Sequence, residues 1–276
     1  MINAHPFGLA PLSLLGTAPD EFVYLVADAG FDFVGLRVVP VTENEPQYDM
    51  SVGSPLHKRV TKALADTGLY VQDAEFLLLD GSDQRDLWRT AIERAASFGA
   101  RSITLAVADS DLGRVADNLA QMAADGAEAG VKPAVEAISY QHVHSIPQAA
   151  ELAERTGSYF LPDGLHIERF GGTPAQLADA VSRGIVPMFQ LCDALPQRPE
   201  GREGLVWESR AKRAVPGEGA DDTAALVSVL PADLPISVET PDDDFVAAHG
   251  AKAWVERLYA AGSALVRTAD LAFATV

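Results

Sequence analysis

The segment KPAVEAISYQHVHSIPQAAELAERTGSYFLPDGLHI, residues 132–167, contains the pattern on which the fold prediction rests. It begins with a short apolar run, 132–138, and ends with a second one, 159–167. Between them lies an Ala-rich stretch of helical period, which opens at Pro147 and stops at Gly157, as helices prefer. A buried strand, a helix and a second buried strand are typical of a βαβ unit, whose two strands lie parallel.

The same unit repeats along the chain, and the apolar runs predict eight strands. The predicted strands are 7–14, 31–39, 70–78, 102–108, 132–138, 159–167, 186–192 and 235–241. Eight parallel strands joined by helices most simply close into an α/β (β/α)8 TIM barrel, so we predict one such domain over residues 1–276. An open, doubly wound sheet is the competing fold. It is disfavoured because LLGT, residues 14–17, lacks the Gly-rich phosphate loop expected after the first strand of such a sheet.

Composition restricts the partners and the location of the protein. The formal net charge of −18 argues against nucleic acid and against an anionic membrane surface, because both attract basic patches. No apolar run reaches the roughly 18 residues of a membrane span, and we recognise no signal peptide at the start of the chain. The single cysteine, Cys192, suits a reducing compartment. We therefore expect a cytoplasmic protein.

Four consecutive predicted strands end on side chains that carry oxygen. These residues are Glu136, Asp163, Gln190 and Glu239. The carboxyl ends of the strands form the catalytic face of a TIM barrel, so these side chains should converge there. Carboxylates brought together repel each other, and a divalent cation relieves that repulsion. Carboxylate and amide oxygens are hard ligands, which favours Mn²⁺ or Mg²⁺ over Co²⁺ or Zn²⁺.

A family resemblance follows from five motifs. They are VEA at 135–137, DGLHIERFGG at 163–172, QLCDA at 190–194, RAVPGEG at 213–219 and SVETP at 237–241. In this series the chain resembles the sugar phosphate isomerase/epimerase family, the xylose-isomerase-like TIM barrels. The resemblance implies that the four strand-end residues bind one divalent cation and that His166 of the D-x-x-H motif lies beside the substrate. It also implies a homodimer.

Gln190 departs from part of that family. Epimerases that resemble tagatose epimerase have a histidine at this position, whereas a glutamine resembles the bacterial 3-dehydroshikimate dehydratases. The leading hypothesis is a metal-dependent isomerase or epimerase that acts on a small hydroxy-carbonyl compound, a sugar or sugar derivative, through an enediolate. Glu136, Glu239 or His166 would be the base that moves the proton. A dehydratase of the 3-dehydroshikimate or inosose type, and an inactive barrel that serves as a binding subunit, are the alternatives.

Three further residues are candidates for binding a polyhydroxylated substrate. Arg37 follows the apolar run of the second strand and could bind a carboxylate, phosphate or hydroxyl of the substrate, or pair with Glu75. Glu75 interrupts an apolar strand, which indicates either a partner or a substrate contact. The resemblance gives Arg213 a substrate-binding role, and a surface ion pair is its alternative. Residues 195–222 are predicted to form a long loop over the barrel mouth, where such loops often act as lids.

Overall fold

The computed structural model describes residues 5–220 and 222–273. Residues 1–4, 221 and 274–276 belong to the predicted domain, and 221 also to the predicted loop, but they lie outside the described residues. Eight parallel strands form one sheet in the order β6-β5-β4-β3-β2-β1-β8-β7. A parallel bridge between Asp163 and Gln190 joins the chain after β6 to β7, so the sheet closes and the predicted barrel is confirmed.

The strands are short and lie where the sequence places them. They are β1 (Phe7–Leu9), β2 (Phe33–Arg37), β3 (Tyr70–Leu79), β4 (Ser102–Val107), β5 (Lys132–Glu136), β6 (Tyr159–Leu161), β7 (Phe189–Leu191) and β8 (Ile236–Val238). The helices are α1 (Pro19–Ala29), α2 (Pro55–Thr67), α3 (Arg85–Ser97), α4 (Leu112–Ala127), α5 (Ile146–Thr156), α6 (Gly164–Phe170), α7 (Pro174–Ser182), α8 (Gly201–Ala211), α9 (Thr223–Val227), α10 (Asp243–His249) and α11 (Ala251–Phe273).

Helix ends explain why the strands and helices alternate so regularly. Helix α7 begins at a capping box, in which Thr173 and Gln176 exchange side-chain and backbone hydrogen bonds. Gly30 and Gly157 end α1 and α5 with φ angles of 98° and 73°, a conformation that favours glycine. Helix α5, with Pro147 in its first turn and Gly157 at its end, confirms the helix start and stop that the sequence predicts there.

Seven of the eight predicted strands extend beyond the observed strands, and the first and sixth do so by five residues or more. Residues 11–14 form a 3₁₀ helix that begins at Pro11, not the end of the first strand. The prediction that the sixth strand runs to residue 167 is also wrong. Strand β6 ends at Leu161, and the Asp163 side chain accepts a hydrogen bond from the backbone N–H of His166, which starts α6. That early helix brings His166 back toward the barrel mouth.

The prediction of an irregular loop over 195–222 is wrong in its centre, because residues 201–211 form helix α8. A buried ion pair between Glu208 of α8 and Arg169 of α6 holds this helix in place. Glu208 also accepts a hydrogen bond from the backbone N–H of Leu195 (2.9 Å). In the part of the chain that the structure describes, no helix has the length and apolar character needed to cross a membrane.

Candidate active site

The four strand-end residues meet at one place. Glu136 is the last residue of β5, Asp163 lies two residues after β6, Gln190 is in β7 and Glu239 follows β8. All four are at least 96% buried. One ligand atom from each of the three carboxylates can be chosen so that all lie within 4.8 Å of one another. Carboxylates from separate strands are thus concentrated at the carboxyl end of the barrel.

Gln190 completes this group. Its Nε2 donates a hydrogen bond to Oε1 of Glu239 at 2.9 Å, while its Oε1 is buried and has no hydrogen-bond partner. A buried amide oxygen without a hydrogen bond lowers the stability of the folded state, unless a bound ion or water molecule contacts it. Three carboxylates and this amide oxygen fit a hard divalent cation, since they supply the oxygen ligands that such a cation needs.

Arg213 lies inside the site, so its interpretation as a surface ion pair is wrong. Its Nη1 is 2.6 Å from Oδ2 of Asp163, and its Nη2 is 2.7 Å from Oε2 of Glu239. Its Nε donates to the backbone carbonyl of Ser209 at 2.8 Å, and only 3% of the residue is exposed. The guanidinium therefore contacts one oxygen of Asp163 and one oxygen of Glu239. The second oxygen of each carboxylate faces other groups.

Burial and mutual repulsion control the pKa values of the carboxyl groups. Burial raises the pKa of Glu136 well above its usual range, and the charges of Glu239 and Asp163 add to the effect. Burial likewise raises the pKa of Glu239 to about 8, against the opposing effect of Arg213. Burial would also raise the pKa of Asp163, but Arg213 and His166 outweigh it and lower that pKa. The site thus still favours additional positive charge.

His166 faces the same cavity with one ring nitrogen free. Its Nδ1 lies 3.2 Å from Oγ of Ser139, and its Nε2 lies 3.6 Å from Oε1 of Glu136 without a hydrogen-bond partner. Tyr140 packs edge-on against the ring, with centroids 5.7 Å apart. Burial lowers the pKa of His166 to about 4, so the imidazole is neutral at pH 7 and can accept a proton.

Arg37 and Glu75 lie on another side of the cavity. Nη2 of Arg37 is 3.6 Å from Oε2 of Glu75, which is the pairing expected as an alternative to substrate binding. Burial raises the pKa of Glu75 to about 8 despite this arginine. Beneath them Asp73 is fully buried with one oxygen unpartnered, a feature that the sequence pattern did not reveal.

The cavity at the mouth holds about 250 Å³. Glu136 and Glu239 line it from the strand ends, His166 lines it from α6, and Arg202 and Arg210 line it from α8. Sequence reasoning missed the α8 residues because this segment was interpreted as a loop. It also missed Tyr140, whose hydroxyl lies 3.0 Å from that of Ser209.

Comparison with known proteins identifies the family. The family model described as "Xylose isomerase-like TIM barrel" matches residues 23–261. The chain belongs to this family. No curated protein matches this xylose isomerase-like barrel.

Solved structures share the fold of this xylose isomerase-like barrel at low sequence identity. A xylose isomerase-like TIM barrel/4-hydroxyphenylpyruvate dioxygenase fusion protein is 21% identical with a TM-score of 0.81; the match covers 98% of this chain but only 44% of the fusion protein. An IolI protein with a bound zinc atom is 14% identical, with a TM-score of 0.76 and coverage of 95% and 98% of the two chains.

A third similar structure is a probable 3-DHS dehydratase, AsbF, from Bacillus anthracis. It is 14% identical, with a TM-score of 0.70, and the match covers 92% of this chain and 97% of AsbF. Epimerases occur among the other similar structures. Relatives of this xylose isomerase-like barrel are thus mostly enzymes, and at these identities they establish the fold alone.

Proposed function

We propose that the protein is a divalent-metal-dependent isomerase or epimerase that acts on a small hydroxy-carbonyl compound, a sugar or sugar derivative, through an enediolate. One observation carries the proposal: three buried carboxylates lie close enough together to hold a metal ion, and Gln190, whose Oε1 has no partner, contacts one of them. Two of these carboxylates, Glu136 and Glu239, line the mouth cavity. In the proposal Glu136, Asp163, Gln190 and Glu239 hold one cation. The oxygen donors favour Mn²⁺ or Mg²⁺, and the zinc atom in the IolI structure makes Zn²⁺ the next metal to test.

The proposed chemistry is proton transfer next to a carbonyl group. When bound, the cation supplies Lewis acidity, which favours negative charge on the carbonyl oxygen. Neutral His166 can accept a proton at its free Nε2, and Glu136 lies 3.6 Å from that atom, close enough to stabilise the imidazolium that forms. Glu239 is the alternative base. Arg213 holds Asp163 and Glu239 in position and faces the cavity, where it would contact the substrate.

The fate of the proton decides the product. Its return to the opposite face of the same carbon gives epimerisation, and its return to the neighbouring carbon gives isomerisation. Loss of a hydroxyl from the next carbon gives dehydration, which is the second candidate function because Gln190 resembles the corresponding residue of 3-dehydroshikimate dehydratases. An inactive barrel that binds a partner is the remaining alternative. A cytoplasmic location, a homodimer and the absence of a nucleic-acid partner stay predictions from the sequence.

Metal binding is the first test. Calorimetric titration of chelator-treated protein with Mn²⁺ should give one site per chain. Glu239→Gln should weaken Mn²⁺ binding by roughly a hundredfold or more. Replacing a residue that only supports a metal ligand already lowers the metal affinity by roughly 10- to 100-fold, and Glu239 is a proposed ligand itself. Glu45→Gln is the matched control, because Glu45 lines the same cavity outside the carboxylate group and should leave the Mn²⁺ affinity unchanged.

The reaction class is tested by exchange of carbon-bound hydrogen. Mn²⁺-loaded protein is incubated in D₂O with aldoses, ketoses and 3-dehydroshikimate, and products are analysed by NMR. Deuterium at the carbon next to the carbonyl supports an enediolate, while a new double bond supports dehydration. Folded wild-type protein that binds no divalent cation would refute the proposal, and Mn²⁺ binding without any exchange or turnover would favour the inactive barrel.

A further inference from the structure

Three arginines line the mouth cavity from β2 and α8. Arg37 is the last residue of β2, while Arg202 and Arg210 lie about two turns apart on α8. The proposed metal ligands come instead from β5 to β8 and the segments that follow them. Three guanidinium groups around one cavity are unusual in a chain whose formal net charge is −18. Their partners therefore decide whether the cavity retains positive charge.

The carboxylates of the protein satisfy these arginines only in part. Arg210 forms a close ion pair with Glu45 (2.6 Å). Arg37 lies 3.8 Å from Glu45 and 3.6 Å from Glu75, which is beyond ordinary hydrogen-bond distance, and its buried Nε has no hydrogen-bond partner. Arg37 thus has an unused donor at the cavity.

Arg202 has no ion-pair partner among the described residues. Its guanidinium packs over the ring of Tyr140, with 5.6 Å between the guanidinium carbon and the ring centroid. Stacking on an aromatic face leaves the N–H groups at the edge of the guanidinium free to bind an anion. The hydroxyl of Tyr140 lies 3.0 Å from that of Ser209 on the same helix, which fixes the ring beneath Arg202.

Charge on this side of the cavity is therefore positive. Three arginines face Glu45 and Glu75, and burial keeps Glu75 largely protonated at neutral pH because its pKa is raised to about 8. Positive charge that is only partly paired on one side of a cavity attracts an anionic group to that side. Arginine also binds carboxylate and phosphate through two parallel hydrogen bonds, which a neutral hydroxyl cannot match.

We propose that Arg202 and Arg37, with Arg210 beside them, form an anion subsite, so that the substrate of this barrel is an acid that carries a carboxylate or phosphate away from its reacting carbons. This inference rests on the proposed function for the reaction and adds the chemical class of the substrate. The anionic group binds between β2 and α8, and the carbonyl end reaches the carboxylates of β5 to β8. Helix α8, which lines the mouth, then supplies two of the three arginines that recognise the acid.

Three compounds with the same six-carbon polyol framework test the subsite: D-sorbitol, D-gluconate and D-sorbitol 6-phosphate. Each is titrated calorimetrically into Mn²⁺-loaded protein at low ionic strength. At least one of the two acids should bind roughly tenfold or more tightly than sorbitol, the size expected for one or two charge-assisted hydrogen bonds at a partly exposed site. The acid that binds more tightly identifies the group as carboxylate or phosphate.

Arg202→Gln should abolish that preference without changing the Mn²⁺ affinity, because Arg202 is exposed and remote in sequence from the metal ligands. Arg183→Gln is the control: it removes one exposed arginine from the end of α7, at the opposite end of the barrel. A preference that survives Arg202→Gln means that the acid binds elsewhere, for example on the metal, and overturns the proposal. So does failure of both acids to bind at millimolar concentration.

A titration of metal-free protein separates this inference from the proposed function. If the chain binds no Mn²⁺ but still prefers an acid, and Arg202→Gln removes that preference, the anion subsite stands while the metal-dependent reaction is wrong. If Mn²⁺ binds normally and neither acid is preferred over sorbitol, the metal site stands and the anion subsite is wrong.

Discussion

Replacing Arg213 by methionine tests whether this arginine compensates the buried carboxylates of the site. Methionine has a long, flexible side chain, so it fills much of the same space but leaves Asp163 and Glu239 without their shared cation. Arg213 is 97% buried and contacts both carboxylates at 2.6 and 2.7 Å. Removing one partner of a buried ion pair costs about 3–5 kcal/mol, because the remaining charge has neither water nor a counterion.

The pair between Arg257 and Glu218 provides a matched control. Its contact distance is 2.6 Å, but the two side chains are 40% and 52% exposed. An exposed pair of this kind contributes less than about 1 kcal/mol, and the guanidinium also packs over the rings of Phe245 and Trp254. Since such ring contacts add about 1 kcal/mol at an exposed site, Arg257→Met should lower the free energy of unfolding by no more than about 2 kcal/mol. Arg213→Met thus removes contacts with two buried carboxylates, whereas Arg257→Met removes one exposed ion pair and contacts with two aromatic rings.

Urea unfolding of both variants in the presence of a chelator measures the difference. We expect Arg213→Met to lower the free energy of unfolding by about 3 kcal/mol or more, and Mn²⁺ to restore part of that loss because it neutralises the same carboxylates. If Arg213→Met costs no more than Arg257→Met, the guanidinium does not compensate the buried charges. The assignment of Arg213 as the counterion of Asp163 and Glu239 would then be refuted.

Three other outcomes are expected. His166→Ala should retain Mn²⁺ binding but reduce turnover per folded molecule by roughly a hundredfold or more once a substrate is known; loss of Mn²⁺ would make this histidine a ligand. Asp73→Asn should stabilise the protein above about pH 7, by up to about 4 kcal/mol, with the gain disappearing toward pH 4 in pH-dependent urea unfolding. Burial and the charge of Glu239 raise the pKa of Asp73 to about 7 in the folded state. The folded state therefore loses stability as the pH rises from the pKa of Asp73 in the unfolded chain to about 7. Limited proteolysis within 195–220 should slow when Mn²⁺ and substrate are both present; equal rates would argue against a lid.

The barrel could be predicted because its signals are local. Short apolar runs, helix caps and glycine stops repeat at each unit, and none of them depends on distant contacts. The convergence of Glu136, Asp163, Gln190 and Glu239 could be predicted for the same reason, since the end of a parallel strand has a known position in a barrel. Strand lengths were less accurate, because a side-chain cap such as that of Asp163 moves a boundary by several residues.

Helix α8 and Arg213 could not be placed from the sequence. Gly201 and Gly204 weaken the helical signal, and the helix is held by the buried pair of Glu208 with Arg169, residues 39 positions apart in the chain. The position of Arg213 follows from the path of that helix, so it became visible only with the tertiary structure. The anion subsite depends on the same helix and was hidden for the same reason.

The charges in the site explain why a divalent cation, rather than the protein alone, would complete it. When ionised, Glu136, Asp163 and Glu239 carry three negative charges, and Arg213 balances one of them. Without a cation, burial raises the pKa of Glu136 well above its usual range and that of Glu239 to about 8, so the folded protein favours the protonated form of both carboxyls. A divalent cation would balance the two remaining charges and displace those protons, so binding of Mn²⁺ should release protons and strengthen as pH rises toward 8. A second arginine could supply only one of these two charges, so it would leave one carboxylate uncompensated.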